Sequence, residues 1–288
     1  MKRLTALIAT LVLMIGAGFP ATAQQDDLCG APEKPCKIDG GSYNISLPEG
    51  WAGGPAVIHL HGYGGSGAKV VGNKAFVARI TVRGYALIAP SGLPWKEGKP
   101  KQTEWSVRDG YDAYPRDDVA FLRAVLDDAA KRFGIDRSRV LMTGFSRGAS
   151  MVWDVACIAP DMAAAYAPVA GGFWESLPTD CVGPVKLLHT HGFKDRTVPL
   201  EGRRLTWEGL NFVQGDIYQG LQLWRQINGC SNRAGEHVIE EKIWRKVWTD
   251  CTQGAALEFA LHPGGHGLPK GWSAMVLDWF EAQLASSE

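Results

Sequence analysis

Residues 139–157, Arg139-Val-Leu-Met-Thr-Gly-Phe-Ser-Arg-Gly-Ala-Ser-Met-Val-Trp-Asp-Val-Ala-Cys157, decide the fold. A short apolar run, Arg139–Thr143, meets the pentapeptide Gly144-Phe-Ser-Arg-Gly148, and a helical stretch opening with small residues follows from Ala149. Glycines flanking a serine between a buried strand and a helix permit the sharp turn of a nucleophile elbow. Such a turn holds Ser146 in a strained backbone conformation at the C-terminal rim of a sheet. The new helix also aims its N-terminal N–H groups and dipole at negative charge developing beside the serine.

The same rhythm recurs on both sides. Ala56–Leu60 ends in His61-Gly-Tyr-Gly-Gly65, Tyr85–Ala89 in Pro90-Ser-Gly92, Val185–Thr190 in His191-Gly192, and Ala256–Leu261 in His262-Pro-Gly-Gly265. Continuous apolar runs stopped by glycine or proline predict strands buried on both faces, the mark of a parallel sheet. Helical patterns fill the gaps. Val119, Leu122, Val125, Leu126, Ala129 and Phe133 fall on one face of a helix opened by Asp117 and Asp118 and stopped by Gly134. That placement of charge and glycine suits a helix macrodipole and its cap. Further helices are expected at Ile217–Ile227 and around Ala274–Phe280. The alternation predicts an α/β fold with a mostly parallel central sheet and helices on both faces. Residues 55–288 form its one catalytic domain, and 24–54 are an N-terminal extension with an antiparallel edge hairpin expected over Ile38–Leu47.

A serine hydroxyl needs a base, and the base needs an orienting carboxylate. In folds built on this elbow the acid and then the histidine follow in chain order, each on a loop after a later strand. Asp195, in His191-Gly-Phe-Lys-Asp-Arg-Thr-Val-Pro199, and His266, in Pro263-Gly-Gly-His-Gly267, occupy those places. A turn-capping aspartate and a surface-loop histidine are the plain alternatives, but the ordered trio favours catalysis. His262 is the rival base. His59/His61 and His189/His191 have a spacing that puts both rings on one strand face, yet histidines at strand ends commonly support loops, and no metal or other cofactor is expected. The glycine-rich turn at 61–65 suits half of an oxyanion hole, with the N–H of Arg147 as the other half.

These residues resemble the secreted polyhydroxybutyrate-depolymerase/feruloyl-esterase family of α/β-hydrolases over most of residues 55–285. The likeness rests on His61-Gly62, on residues 144–171, on 191–199, on Leu223-Trp-Arg-Gln-Ile-Asn-Gly-Cys230 and on Gly264-Gly-His-Gly-Leu-Pro269. It implies the α/β-hydrolase fold, Ser146, Asp195 and His266 as catalytic triad, and the backbone N–H groups of Tyr63 and Arg147 as oxyanion donors. It also implies Cys157–Cys181 and Cys230–Cys251 links. Tyr63, Arg147, Ala149 and Leu268 depart from residues common in the family at positions bordering the substrate. The expected function is that of an exported serine esterase hydrolysing feruloyl, acetyl or other short esters, small or carbohydrate-linked. A polyhydroxyalkanoate oligomer depolymerase is the alternative. A serine peptidase or acyltransferase, or a non-catalytic binding module, is a more distant one. Trp105, Trp174 and Trp207 are expected near the rim, where flat apolar rings suit an aryl group or a sugar; Trp207 falls in Arg203–Gly215, a stretch with no clear helical period expected to overhang the cleft.

Composition agrees. With 45% hydrophobic and 21% charged residues the 288-residue chain is neither disordered nor a polytopic membrane protein. A net charge of zero gives no electrostatic reason to expect nucleic acid as partner. The partner expected is the ester substrate; the sequence sets no oligomeric state. Lys2 and Arg3, the apolar run Leu4–Ile15 and Ala21-Thr-Ala23 predict a cleaved signal peptide over 1–23, with no membrane attachment afterwards and a secreted or periplasmic location. All six cysteines (Cys29, Cys36, Cys157, Cys181, Cys230 and Cys251) lie beyond it, which favours disulfides in an exported chain. Six cysteines allow fifteen pairings and sequence alone does not choose; sequential pairs, each closing a local loop, are the expectation. No two cysteines have zinc-type spacing.

Overall fold

The computed structural model describes residues 29–95, 98–106, 114–207 and 209–286. The expected signal peptide, 1–23, lies outside the described residues, as does the side chain of Trp207. The chain enters through a hairpin, β1 (Cys36–Ile38) and β2 (Gly41–Ser46), and continues through β3 (Gly54–Leu60), α1 (Gly67–Gly72), α2 (Lys74–Thr81) and β4 (Ala86–Pro90). A two-stranded ribbon, β5 (Leu93–Pro94) and β6 (Thr103–Glu104), leads to α3 (Asp118–Phe133), β7 (Ile135–Phe145), α4 (Arg147–Ile158) and β8 (Ala165–Val169). After β9 (Lys186–Gly192) come a second hairpin, β10 (Arg203–Trp207) and β11 (Leu210–Gln214), and α5 (Ile217–Ile227). β12 (Glu236–Glu240), β13 (Ile243–Trp248), β14 (Ala256–His262) and α6 (Trp272–Ala285) complete the fold.

The central strands run in the order β4-β3-β7-β8-β9-β14 and pair in parallel. Antiparallel hairpins extend both sides: β2 joins β4 with β1 beyond it, and β13 joins β14 with β12 beyond it. The predicted N-terminal hairpin therefore exists, with its first strand starting earlier, at Cys36. Side chains alternate between two cores, as a sheet covered on both faces requires. Ala56, Ile58, Leu60, Val140 and Met142 face the core shared with α3, α4 and α5, whereas Val57 and Leu141 face the core shared with α2 and α6. This is the mostly parallel sheet with helices on both faces of an α/β-hydrolase.

Helix α3 shows how local sequence sets the frame. The Asp117 carboxylate accepts the Ala120 N–H at 3.0 Å, and Gly134 closes the helix in the left-handed conformation, φ 69°. Its buried stripe, Phe121, Leu122, Val125, Leu126, Ala129 and Phe133, is the stripe expected from spacing with Phe121 added and Val119, at the helix start, only partly buried. Three disulfides, Cys29–Cys36, Cys157–Cys181 and Cys230–Cys251, match the sequential pairing.

Candidate active site

Strand β7 delivers the chain to Ser146 at φ 56°, ψ −119°, and α4 starts at the next residue. A left-handed conformation at a non-glycine residue is strained. The structure around it enforces the strain: the Ser146 N–H donates to the Val169 carbonyl at 3.0 Å, and the Ser146 carbonyl accepts the Ser150 N–H at 3.0 Å. The elbow is also crowded. A Cβ on Gly148 would overlap the Leu60 carbonyl, and one on Gly144 would overlap the Gly148 carbonyl. Both positions of the G-x-S-x-G pattern therefore need glycine for close approach, as well as for the turn.

The loops after β9 and β14 bring two more groups to the serine. His266 Nε2 lies 2.9 Å from Ser146 Oγ, and its Nδ1 lies 2.8 Å from Asp195 Oδ2. A carboxylate only accepts, so Nδ1 carries the proton and Nε2 is left to accept from the hydroxyl. Asp195 Oδ1 takes the N–H groups of Thr197 (2.8 Å) and Val198 (2.9 Å), which fixes the carboxylate plane. Burial pushes the Asp195 pKa up, but hydrogen bonds from His266 and from the Val198 N–H outweigh it, and the carboxyl sits below its ordinary value.

The remaining strand-end histidines build the scaffold. His61 Nδ1–H donates to the Gly62 carbonyl at 2.8 Å while Nε2 accepts the Gly92 N–H at 2.9 Å, so the glycine-rich turn is tied to the strand beside it. His191 Nε2–H donates to the Val198 carbonyl at 2.9 Å; its Nδ1, 3.0 Å from His189 Nε2, then accepts. Trp153 Nε1–H donates to His189 Nδ1 at 3.3 Å, completing a chain from the core to the Asp195 loop. His59 pairs with the Thr143 hydroxyl at 2.9 Å. Burial holds His59 down to about 3 and His61 to about 4. His262, the rival base, is buried and its Nδ1 accepts the Gly264 N–H at 3.1 Å, tying down the loop that carries His266.

Ser146 opens into a cavity of about 380 Å³ whose lining is mainly apolar. Tyr63 and Arg147 both line it next to the serine. Arg147 is the first residue of α4, at the positive end of the helix dipole. Its guanidinium contacts Glu104, Nε to Oε2 2.8 Å, and lies 4.4 Å from the centre of the Trp174 ring. Trp174 thus lines the cavity, with its Nε1–H donating to Ser150 Oγ at 3.2 Å.

Trp105 does not line the cavity, contrary to expectation. It is fully buried, its Nε1–H donates to the His61 carbonyl at 2.8 Å, and its ring sits 4.9 Å from the His61 ring. The reason is strand phase: successive side chains alternate, and here the preceding residue, Glu104, takes the cavity side. The stretch 203–215, read as irregular chain overhanging the cleft, is the β10–β11 hairpin. It overhangs through Leu205, Phe212, Arg203 and Gln214, none of which was singled out from sequence. The alternation of those residues about Glu208-Gly209 was the available signal.

No family model matches the chain. It is 27% identical over 288 residues to feruloyl esterase C of Emericella nidulans, covering 93% of each chain. Among solved structures it resembles an acetyl xylan esterase from Aspergillus awamori, with TM-score 0.60 and 15% identity over 84% of this chain and 94% of that one. The Bacillus cereus carboxylesterase gives TM-score 0.56 and 13% identity over 85% and 95%. Both solved structures speak to the fold, and the sequence likeness runs end to end. The chain has the α/β-hydrolase fold and is similar in sequence, over most of its length, to feruloyl esterases.

Proposed function

We propose that the protein is an exported serine esterase working through an acyl-enzyme. Ser146 Oγ attacks the ester carbonyl as its proton passes to His266 Nε2, while Asp195 holds the imidazole in the required tautomer. The N–H groups of Tyr63 and Arg147 receive the oxyanion. His266 then protonates the leaving alcohol and activates the water that hydrolyses the acyl-enzyme. The observation that carries this reading is the unbroken sequence of contacts Asp195 Oδ2–His266–Ser146 Oγ, 2.8 and 2.9 Å, beside an apolar cavity. Three disulfides support an oxidising compartment, secreted or periplasmic, and hence removal of residues 1–23.

For substrate, the names of the relatives and the aromatic faces of Trp174 and Phe212 support an aryl or carbohydrate-linked ester, feruloyl or acetyl, over a hydroxyalkanoate oligomer. The test has two arms. A fluorophosphonate serine probe should label the wild type and spare Ser146→Ala; equal labelling refutes the nucleophile. A turnover panel of methyl ferulate, acetylated xylan, p-nitrophenyl butyrate and hydroxybutyrate oligomers reads the substrate. Preference for the oligomers with methyl ferulate untouched overturns the aryl reading and leaves the triad standing.

A further inference from the structure

We propose that the cleft selects esters carrying a carboxylate remote from the scissile bond, anchored by Arg203; this rests on the cleft being the ester-hydrolysing site. Among the described residues three charged side chains line the cavity: Glu104, Arg147 and Arg203. The first two neutralise each other at 2.8 Å. Arg203 makes no ion pair among the described residues, whose charges therefore leave the cavity with one positive charge in a mainly apolar lining.

The hairpin aims that charge. In the antiparallel register Arg203 pairs with Gln214 and Leu205 with Phe212, and all four line the cavity from the same face of the ribbon. Gln214 is nearly buried, forms a bridge to Trp174, and accepts Arg203 Nε–H on Oε1 at 3.0 Å. A guanidinium has five N–H donors in a fixed fork. The one bond to Gln214 orients the fork and leaves its Nη edge, the edge that takes a carboxylate bidentately, for a ligand. A cation facing apolar walls is poorly solvated, so an anionic partner gains more there than at open surface. A neutral aryl or alkyl ester would fill the walls made by Leu205, Phe212 and Trp174 and leave the charge unanswered.

The carboxylate has two possible sources, the acyl half or the alcohol half of the ester, and the assay separates them. Mono-p-nitrophenyl glutarate is compared with its neutral amide analogue, the p-nitrophenyl ester of glutaramic acid, and 3-carboxyphenyl butyrate with 3-carbamoylphenyl butyrate. In one of the two pairs the wild type should favour the acid over the amide by about tenfold or more in kcat/KM. Arg203→Gln should bring that ratio to about one, Arg203→Glu should invert it, and Arg203→Lys should keep part of it. If Arg203→Gln does not fold, Arg203→Lys and the loss of the wild-type ratio on raising salt from about 0.02 to 0.5 M carry the test. A wild-type ratio near one in both pairs, or a ratio untouched in Arg203→Glu, overturns the anchor. In that event, Ser146-dependent hydrolysis of the butyrate amide ester leaves the esterase reading intact. Hydrolysis of none of the four overturns both.

Discussion

Glu104 and Arg147 form an ion pair in the wall of the cleft, 2.8 Å apart, with side-chain exposures of only 6% and 5%. Arg147 follows the nucleophile directly, so the pair fixes the side chain of the residue whose N–H is proposed to meet the oxyanion. Removing the carboxylate would leave a guanidinium nearly buried with one charged partner fewer, which is more costly than never having had the pair. Glu104→Gln is expected to lose about 3 kcal/mol of stability, the low end for orphaning a buried charge because the cleft admits water. Urea unfolding measures it. A loss within error of zero would mean that water and the Trp174 face already satisfy Arg147.

His191 touches no reacting atom and acts on the reaction through Asp195, whose Oδ2 lies 3.6 Å from its Nε2, and through the loop that carries it. Its Nε2–H holds the Val198 carbonyl at 2.9 Å, and the Val198 N–H is one of two that hold Asp195 Oδ1. His191→Phe keeps a ring in a fully buried site and removes the donor. The expected result is a fall of roughly ten- to a hundredfold in kcat with KM little changed, since a misplaced base lowers turnover more than binding. Asp195→Asn, which alters the tautomer itself, should cost roughly 10⁴. Equal kcat in wild type and His191→Phe would show that the two backbone N–H groups suffice to place Asp195.

What sequence alone revealed, and what it hid, follows from the range of the interactions involved. The elbow, the central strands and α3 were legible because each is set by local signals: an apolar run, a stop, a cap. Ser146, Asp195 and His266 were legible because the order of strands dictates where their loops must lie. Trp105 was misplaced because proximity to the rim says nothing about strand phase, and a shift of one residue exchanges Glu104 for Trp105. The β10–β11 hairpin was read as irregular because its two strands are short and half polar, and Gly209, at φ 82°, was the one turn signal. Helices α1 and α2 were missed because they span only 6 and 8 residues. Side-chain caps at Ser66 and Asn73, more than apolar periodicity, start them.

Acid should unfold the protein earlier than its neutral net charge suggests. Burial, above all, holds His59 to about 3 and His61 to about 4, and it lowers His189, His191 and His262 as well. In the unfolded chain these imidazoles take up protons near pH 6.5. Below that value, and down to the folded pKa, the unfolded state binds more protons, so stability falls as pH falls. His59 and His61 alone contribute a slope of roughly 3 kcal/mol per pH unit once the pH is well under 6.5. Asp195, with its depressed pKa, adds stability that is present above its unfolded value and lost as pH drops through the folded one. The urea midpoint should therefore drop steeply between pH 7 and pH 5, and His59→Gln should flatten the slope. A midpoint constant over that interval would show that water reaches these rings.

The Cys157–Cys181 disulfide offers a test that separates stability from chemistry. Cys157 lies in the last turn of α4, and Cys181 lies 24 residues further on, in the segment between β8 and β9. The bond therefore staples the far end of the helix that starts at the nucleophile, more than two turns from Ser146. Cross-linking a loop of this length should stabilise the fold by roughly 3 kcal/mol through restriction of the unfolded chain. A Cys157→Ala/Cys181→Ala double variant is expected to unfold at lower urea by that amount. Its kcat on p-nitrophenyl butyrate at 15 °C should stay within about twofold of wild type, because the elbow is held at its own end by Val169, Leu60 and the glycines. Gel mobility without reductant verifies the cross-link in the parent, and kcat and the urea midpoint are read on the same preparation. A kcat that collapses while the protein remains folded would mean that the staple orders the elbow through the whole length of α4.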